Sequence, residues 1–347
     1  MKMLALVKTS IHKALVEIDE SIPLIGCIAF GLIDRGTNVI QVRPISTCPL
    51  SCMFCSTNAG PKSRIRQAEY IVALDHMVEE FRNLVKFKGE RAIEAHIDTV
   101  GDPLTYPHII KLVHGLHQIK GVETVSMQTH GVLLNEKLLD RLSSAGLSRI
   151  NLSIDALDSK LAKKLADAES YDVSRIIDLT KYIVENTSID LLLSPVWVPG
   201  VNDQEIPRII ELASKIGAGK RSPPLGIQKY NVHKHGRKVK GIKAMRWKQF
   251  YAKLRAWEKL CKIKLVLRPE DFGIHRRLRL PILYRKLEKV KLHVTAPGWL
   301  RREKLAVTML GDRTMTLVNA ENIPVGAKVK ARVITNKHNI YLAEPAF

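Results

Sequence analysis

Cys48, Cys52 and Cys55 stand within eight residues in the segment ISTCPLSCMFCSTNAGP, at a CxxxCxxC spacing. Thiolates are soft ligands, and three on one short loop can wrap a face of a [4Fe-4S] cube, leaving the fourth iron without a protein ligand. Zinc is the competing reading, but a closed zinc site wants four ligands, and no paired CxxC or HxxxH lies nearby. Five cysteines in all, with Cys27 and Cys261 isolated, do not make a disulfide framework and suit a reducing compartment. Cys27 in the apolar run IPLIGCIAF and Cys261 at the end of an amphipathic helix both read as core packing. That leaves the triad as the sole cluster.

Four later segments, IDTVGDPLTYP, VSMQTHGVLL, INLSIDALD and PVWVPGVND, follow successive strand-like runs. Taken with the cysteine loop and Phe54 just before its last Cys, they make the chain resemble the radical S-adenosylmethionine (radical SAM) superfamily across roughly residues 25–270. The resemblance implies that the open iron chelates S-adenosylmethionine and that one electron, from a ferredoxin- or flavodoxin-like donor, cleaves it to a 5'-deoxyadenosyl radical. It implies that Gly101, Asp102 and Pro103 meet the cofactor's amino group, through backbone carbonyls because Asp102 is shorter than the family's usual Glu. Gln128, Thr129 and Gly131 match the family's third-strand segment, with His130 in place of Asn. Ser153 and Asp155 would face the ribose hydroxyls or the methionine carboxylate, and Val198 and Gly200 the adenine. Read alone, Gly101-Asp102-Pro103 and PGVND are ordinary turns, and His130 is a solvated loop histidine.

To position these residues, Val- and Ile-rich runs near 38–43, 92–98, 123–128, 149–154, 189–194, 224–229 and 263–267 alternate with helical periodicity. The segment AEYIVALDHMVEEFRNLVKF reads as a helix with Ile71, Leu74, Met77, Val78, Phe81 and Val85 on one face. Further helices are expected near 107–118, 134–144, 172–185, 205–216 and 245–260. The fold class is α/β, a partial (βα)6 TIM-like barrel with its site at the C-terminal strand ends, although a doubly wound sheet would give the same string. From about residue 287, five short strand-like runs (VKLHVT, LAVTML, TMTLV, KVKARVI and NIYLA) suggest a small all-β OB-like barrel. That module resembles a TRAM domain, as in archaeal radical SAM proteins that carry one. The expected organisation is a helical extension over 1–24, the barrel over 25–270, a basic linker over 271–286 and the TRAM-like barrel over 287–347.

Between Lys220 and Lys304 there are 26 Lys or Arg against five acids, so this quarter carries the whole net charge of +21. A localised basic excess on a neutral body is the footprint of polyanion binding. Lys229, Lys234, Arg237, Lys238, Lys240, Arg276, Arg277, Arg279, Arg301 and Arg302 are the expected RNA-binding residues, with Gln228, Tyr230 and His233 facing substrate or phosphate. His96 and Asp98, alternating on one strand, point into the barrel or are satisfied core groups. The N-terminus lacks a signal-peptide core and no apolar run reaches membrane-span length, so a cytoplasmic protein without a membrane partner is expected. The leading expectation is an RNA-modifying enzyme acting on tRNA. Alternatives are a protein or small-molecule substrate with the tail as an RNA tether, and a non-catalytic metal-containing RNA-binding protein. With two cysteines to spare, a second cluster and methylthiolation are disfavoured.

Overall fold

The computed structural model describes residues 13–346. The chain opens with β1 (Ala14–Ile18), β2 (Gly31–Asp34), β3 (Val39–Arg43), β4 (Ala68–Val72) and α1 (Leu74–Phe87). There follow β5 (Ile93–Ile97), α2 (Ile109–His117), β6 (Val122–Thr129), α3 (Glu136–Ser144), β7 (Arg149–Leu152), α4 (Ser159–Ala166), α5 (Val173–Asn186), β8 (Asp190–Leu193) and β9 (Val196–Trp197). Next come α6 (Glu205–Lys215), β10 (Gln228–Lys229) and α7 (Trp247–Cys261). The last part holds β11 (Lys289–Pro297), β12 (Lys304–Thr308), β13 (Thr314–Leu317), β14 (Lys328–Thr335) and β15 (Leu342–Pro345).

A six-stranded sheet in the order β2-β3-β5-β6-β7-β8 is parallel except for β2, which pairs antiparallel with β3. One side of these strands is apolar and buried: Ile40, Val42, Ala95, Ile97, Val125, Met127, Ile150 and Leu152. The alternate residues are polar, and register sets Gln41, His96, Ser126 and Arg149 side by side across four strands. Period-two alternation thus makes one face a core for the helices and the other a polar wall. Asn135, Asp158 and Asp172 cap α3, α4 and α5 by accepting from backbone N–H groups of the first turn.

Several expectations need correction. Within the described residues of the expected helical extension, Ala14–Ile18 is a strand paired parallel with β4; residues 1–12 lie outside the described residues. The long helix begins at Leu74, because AEYIV, rich in β-branched and aromatic side chains, is claimed by that pairing. The sixth barrel strand is reduced to Gln228–Lys229 beside Val196–Trp197, with one further bridge from Leu225 to Leu193. Pro223 and Pro224 there have no N–H to give to a ladder. No strand forms at 263–267, where the Leu265 and Val266 N–H groups both donate to the Glu258 carboxylate instead.

The last five strands close into a barrel in the order β11-β12-β13-β15-β14 around Leu292, Val294, Met315, Leu317, Ala331, Val333 and Tyr341. It is fastened to the larger unit: Gln67 donates to the carbonyls of Leu300 and Glu303, and Tyr70 Oη donates to Pro297 O. The basic segment before it is pinned as well. The Arg277 N–H donates to Gly36 O, the Leu280 N–H to Asp34, and Lys88, itself paired with Asp34 at 2.7 Å, donates to Leu278 O.

Candidate cluster and substrate cavity

A cavity of about 380 Å³ opens at the C-terminal ends of the parallel strands. Its walls include Cys48, Cys52 and Cys55 with Phe54, then His96, Asp98, Gly101, Gln128, His130 and Ser153, and at the rim Gln228, Lys229, Tyr230 and His233. Sequence reasoning put the cysteines, Phe54, Gly101, Gln128 and Ser153 at one cofactor site and left His96, Asp98 and His130 open between that site and a core or loop role; all of them line this cavity.

The cysteine loop runs on from β3 and is held from both sides by arginines. Arg66, fully buried, donates to the carbonyls of Ser46 (2.8 Å), Thr57 (3.1 Å) and Val100 (2.5 Å), and pairs with Glu69 at 3.1 Å. Its guanidinium also lies 4.6 Å from the ring centroid of Trp299, contributed by the small barrel. From the opposite side Arg237 donates to Ala59 O at 2.6 Å and Cys52 O at 3.2 Å, while its own N–H reaches Cys55 O at 2.8 Å. Neighbouring Gly236 is required: a Cβ there would sit 2.9 Å from Ser56 O and 3.0 Å from Cys55 O. Gly101 is equally constrained, since a Cβ would come within 2.0 Å of Thr47 O, where the Asp102 N–H bonds at 2.8 Å.

Cys48 and Cys52 are costly to ionise as they stand. Burial, then the Asp102 carboxylate, pushes Cys48 up to about 12; burial, then the charges of Cys48 and Asp155, holds Cys52 well above the usual thiol range. Three soft donors lining one cavity fit an iron-sulfur cluster, whose iron atoms would bind them as thiolates. His130 Nε2 lies 3.9 Å from Cys52 Sγ.

Other expected residues hold the scaffold. Asp102 is buried, caps Leu104, and accepts from the Thr129 hydroxyl and the His130 N–H, so its side chain ties two strand ends. Pro103 is buried in the short helical turn after it. Asp155 accepts from the Val196 N–H, and burial raises its pKa. The Val198 N–H bonds Asn202, and Gly200 is exposed in the turn beyond; neither lines the cavity. Among the expected RNA-binding residues, Lys234, Lys238, Lys240, Arg276, Arg279, Arg301 and Arg302 are exposed or partly so. Arg237 is half-buried, and two of its guanidinium N–H groups go to the cysteine loop, a role the expectation did not include. Arg277 donates to Arg91 O, Arg302 pairs with Glu321 at 2.8 Å, and Lys229 sits 4.8 Å over the Trp247 ring. Cys27 is buried, its thiol pushed up to about 11 by burial, whereas Cys261, expected in the core, is exposed at the end of α7.

Residues 42–213 match the family model of the radical SAM superfamily. An uncharacterized protein of Methanocaldococcus jannaschii is 41% identical over 349 residues, covering 95% of this chain and 80% of that protein. The chain belongs to the radical SAM superfamily. GTP 3',8-cyclases are similar over a shorter stretch: that of Chlorobaculum tepidum is 28% identical over 179 residues, 51% of this chain and 50% of the cyclase. The chain therefore spans about half the length of these cyclases. Among solved structures, Streptococcus suis SuiB bound to S-adenosylmethionine superposes with a TM-score of 0.48 at 17% identity, covering 71% of this chain and 50% of that one. TYW1 with a lysine-pyruvate adduct bound gives 0.46 at 17%, covering 71% and 80%.

As a radical SAM enzyme the protein uses a [4Fe-4S] cluster and S-adenosylmethionine. Cys48, Cys52 and Cys55 would hold the cluster, which with the cofactor supplies a carbon-centred radical able to take hydrogen from unreactive C–H bonds. The chain's own part is to keep the loop fixed through Arg66 and Arg237, with Lys229 and His233 lining the cavity beside it. Sequence reasoning missed Arg66 and the loop-holding role of Arg237. Nothing in IRQAEY distinguishes a buried Arg, but the glycine immediately before Arg237 hints at close backbone approach.

Proposed function

We propose that the protein modifies RNA, tRNA before rRNA, by hydrogen abstraction at an unreactive carbon of a nucleoside, with methyl transfer as one outcome of that step. The observation that carries this reading is the position of three lysines: Lys234, Lys238 and Lys240 stand on the loop that continues from cavity-lining Lys229 and His233. A polyanion on these residues would present its bases to the cavity mouth, which suits single-stranded loops whose bases can be splayed out. The closed five-stranded barrel, read as OB-like and TRAM-like, adds a second basic surface through Arg301 and Arg302. Gly101, Gln128, Ser153 and Phe54, which line the cavity, are proposed to meet S-adenosylmethionine, while Asp102, Pro103, Asp155, Val198 and Gly200, which do not, would act from behind them by holding the strand ends and turns. A small ferredoxin- or flavodoxin-like donor and a cytoplasmic location complete the reading; among the described residues no helix is long and apolar enough to cross a membrane.

A second reading, a free nucleotide as substrate, is favoured by the similarity to proteins named GTP 3',8-cyclase. Adding RNA from a strain lacking the gene to anaerobically reconstituted protein separates the two. The RNA reading expects 5'-deoxyadenosine formation to rise with RNA and not with GTP, and the reverse would refute it.

A further inference from the structure

The polar wall of the sheet carries a hydrogen-bond chain with a definite direction. His96 on β5 lies opposite Ser126 on β6, and Ser126 opposite Arg149 on β7. Ser126 Oγ is 2.6 Å from Glu94 Oε1 and 2.7 Å from His96 Nδ1. A hydroxyl has one hydrogen, and a carboxylate held by Arg149 at 2.5 Å accepts only. The Ser126 hydrogen is thus spent on Glu94, so Oγ accepts from the imidazole and Nδ1 carries the proton. The lone pair of neutral His96 is therefore on Nε2. That ring lines the same cavity as the three cysteines, and Nε2 makes no hydrogen bond to any described residue.

Asp98, two residues on, also lines the cavity. Its Oδ2 accepts from Gln41 at 2.8 Å and Arg43 at 3.3 Å, while Oδ1 has no partner among the described residues. This part of the wall therefore offers two side-by-side acceptors. Burial lowers the pKa of His96, Asp98 and Glu94 oppose that shift, and Arg149 and Arg43 reinforce it.

We propose that His96 Nε2 is the base of this cavity: it accepts the hydrogen bond, and then the proton, of an N–H or O–H on the substrate, with Asp98 Oδ1 accepting from the adjacent donor. The substrate edge held there is donor-rich. In the step the substrate's N–H or O–H bond breaks, its electron pair stays on the substrate, and a new N–H bond forms at Nε2. The imidazolium is favoured by the charges of Asp98 and Glu94 and opposed by those of Arg149 and Arg43, and no oxidant or reductant takes part. The orientation of the chain gives the triad logic of an oriented base, with Ser126 and Glu94 as positioning residues. Only the turnover arm of the test below rests on the RNA reading.

The test has two arms. In protein labelled with ¹⁵N-histidine, its cluster oxidised and EPR-silent, His96 at pH 7.5 should show a protonated Nδ1 and a bare Nε2, and Ser126→Ala should mix the tautomers. An Nε2–H tautomer, or an imidazolium, in the unmutated protein overturns the proposal. With RNA from a strain lacking the gene as substrate, turnover should show an acid limb below the usual histidine range. His96→Gln should lose about 10²-fold and abolish that limb, with iron content intact. A variant that keeps both rate and limb also overturns it. Absence of turnover with RNA in the unmutated protein counts against the RNA reading, and the tautomer arm then decides alone.

Discussion

Arg66 and Arg237 grip the cysteine loop from opposite sides, whereas Lys234, Lys238 and Lys240, within a few residues of Arg237, lie toward the surface. All five count equally toward the net charge, yet their donors go to different places. The arginines give theirs to five carbonyls, those of Ser46, Thr57, Val100, Cys52 and Ala59. A planar fork suits that bidentate bridging, and a lysine's compact ammonium suits a hydrated, salt-exchangeable pairing with phosphate. Within the basic quarter the contrast separates Arg237, whose charge helps build the cluster site, from the lysines left over for a partner.

The largest effect expected is at the triad itself. Replacing Cys48, Cys52 and Cys55 with Ala should abolish bound iron and S-adenosylmethionine cleavage, read by iron content and 5'-deoxyadenosine. Next, Arg66→Ala removes one partner of buried Glu69, which keeps Lys13 and Ser46, and leaves the Ser46 and Thr57 carbonyls without their side-chain donor; it should cost about 3 kcal/mol in denaturant unfolding with loss of cluster on reconstitution. Arg237→Gln keeps some of the reach but loses the charge; a cost of about 2–3 kcal/mol and a labile cluster are expected, with the salt dependence of RNA binding unchanged. The converse holds for Lys234, Lys238 and Lys240 replaced by Gln. Stability should move by less than about 0.5 kcal/mol, while the slope of log affinity against log salt should fall by about 0.7–0.9 for each phosphate no longer neutralised. If Arg237→Gln lowers the salt slope and the lysine variants do not, the division is wrong.

The smallest effect is a pH dependence of stability. His96 is held neutral by burial, so its pKa in the folded protein lies below the 6.5 of an ordinary histidine. As pH falls below 6.5 the unfolded chain takes a proton that the folded chain declines, and stability should drop by at most about 1.4 kcal/mol per pH unit. Thermal unfolding of His96→Gln should lack that component.

Where period-two alternation was clear, as in NVIQVRP and VSMQT, strands could be read almost to the residue, and the cysteine spacing located the site. Elements that depend on distant partners were illegible. AEYIV has apolar spacing that also suits a helix, and only Ala14–Ile18, more than fifty residues upstream, claims it as a strand. The run at 263–267 carries strand-like residues whose N–H groups Glu258 takes. Likewise a lysine and an arginine in one basic loop look alike in a charge count, and only the fold shows which of them faces inward. His96 and Asp98 were visible as an alternating pair, but the direction of the hydrogen bond at Ser126 needed the neighbouring strand.

The central claim, that the surface cations bring RNA to a radical SAM site, is tested most directly by nucleoside mass spectrometry of tRNA and rRNA. The comparison is between a strain carrying the unmutated gene and one carrying the triple Cys→Ala allele. One modified nucleoside should disappear from the variant strain, with its unmodified precursor rising in step. Identical nucleoside profiles in the two strains would contradict the account.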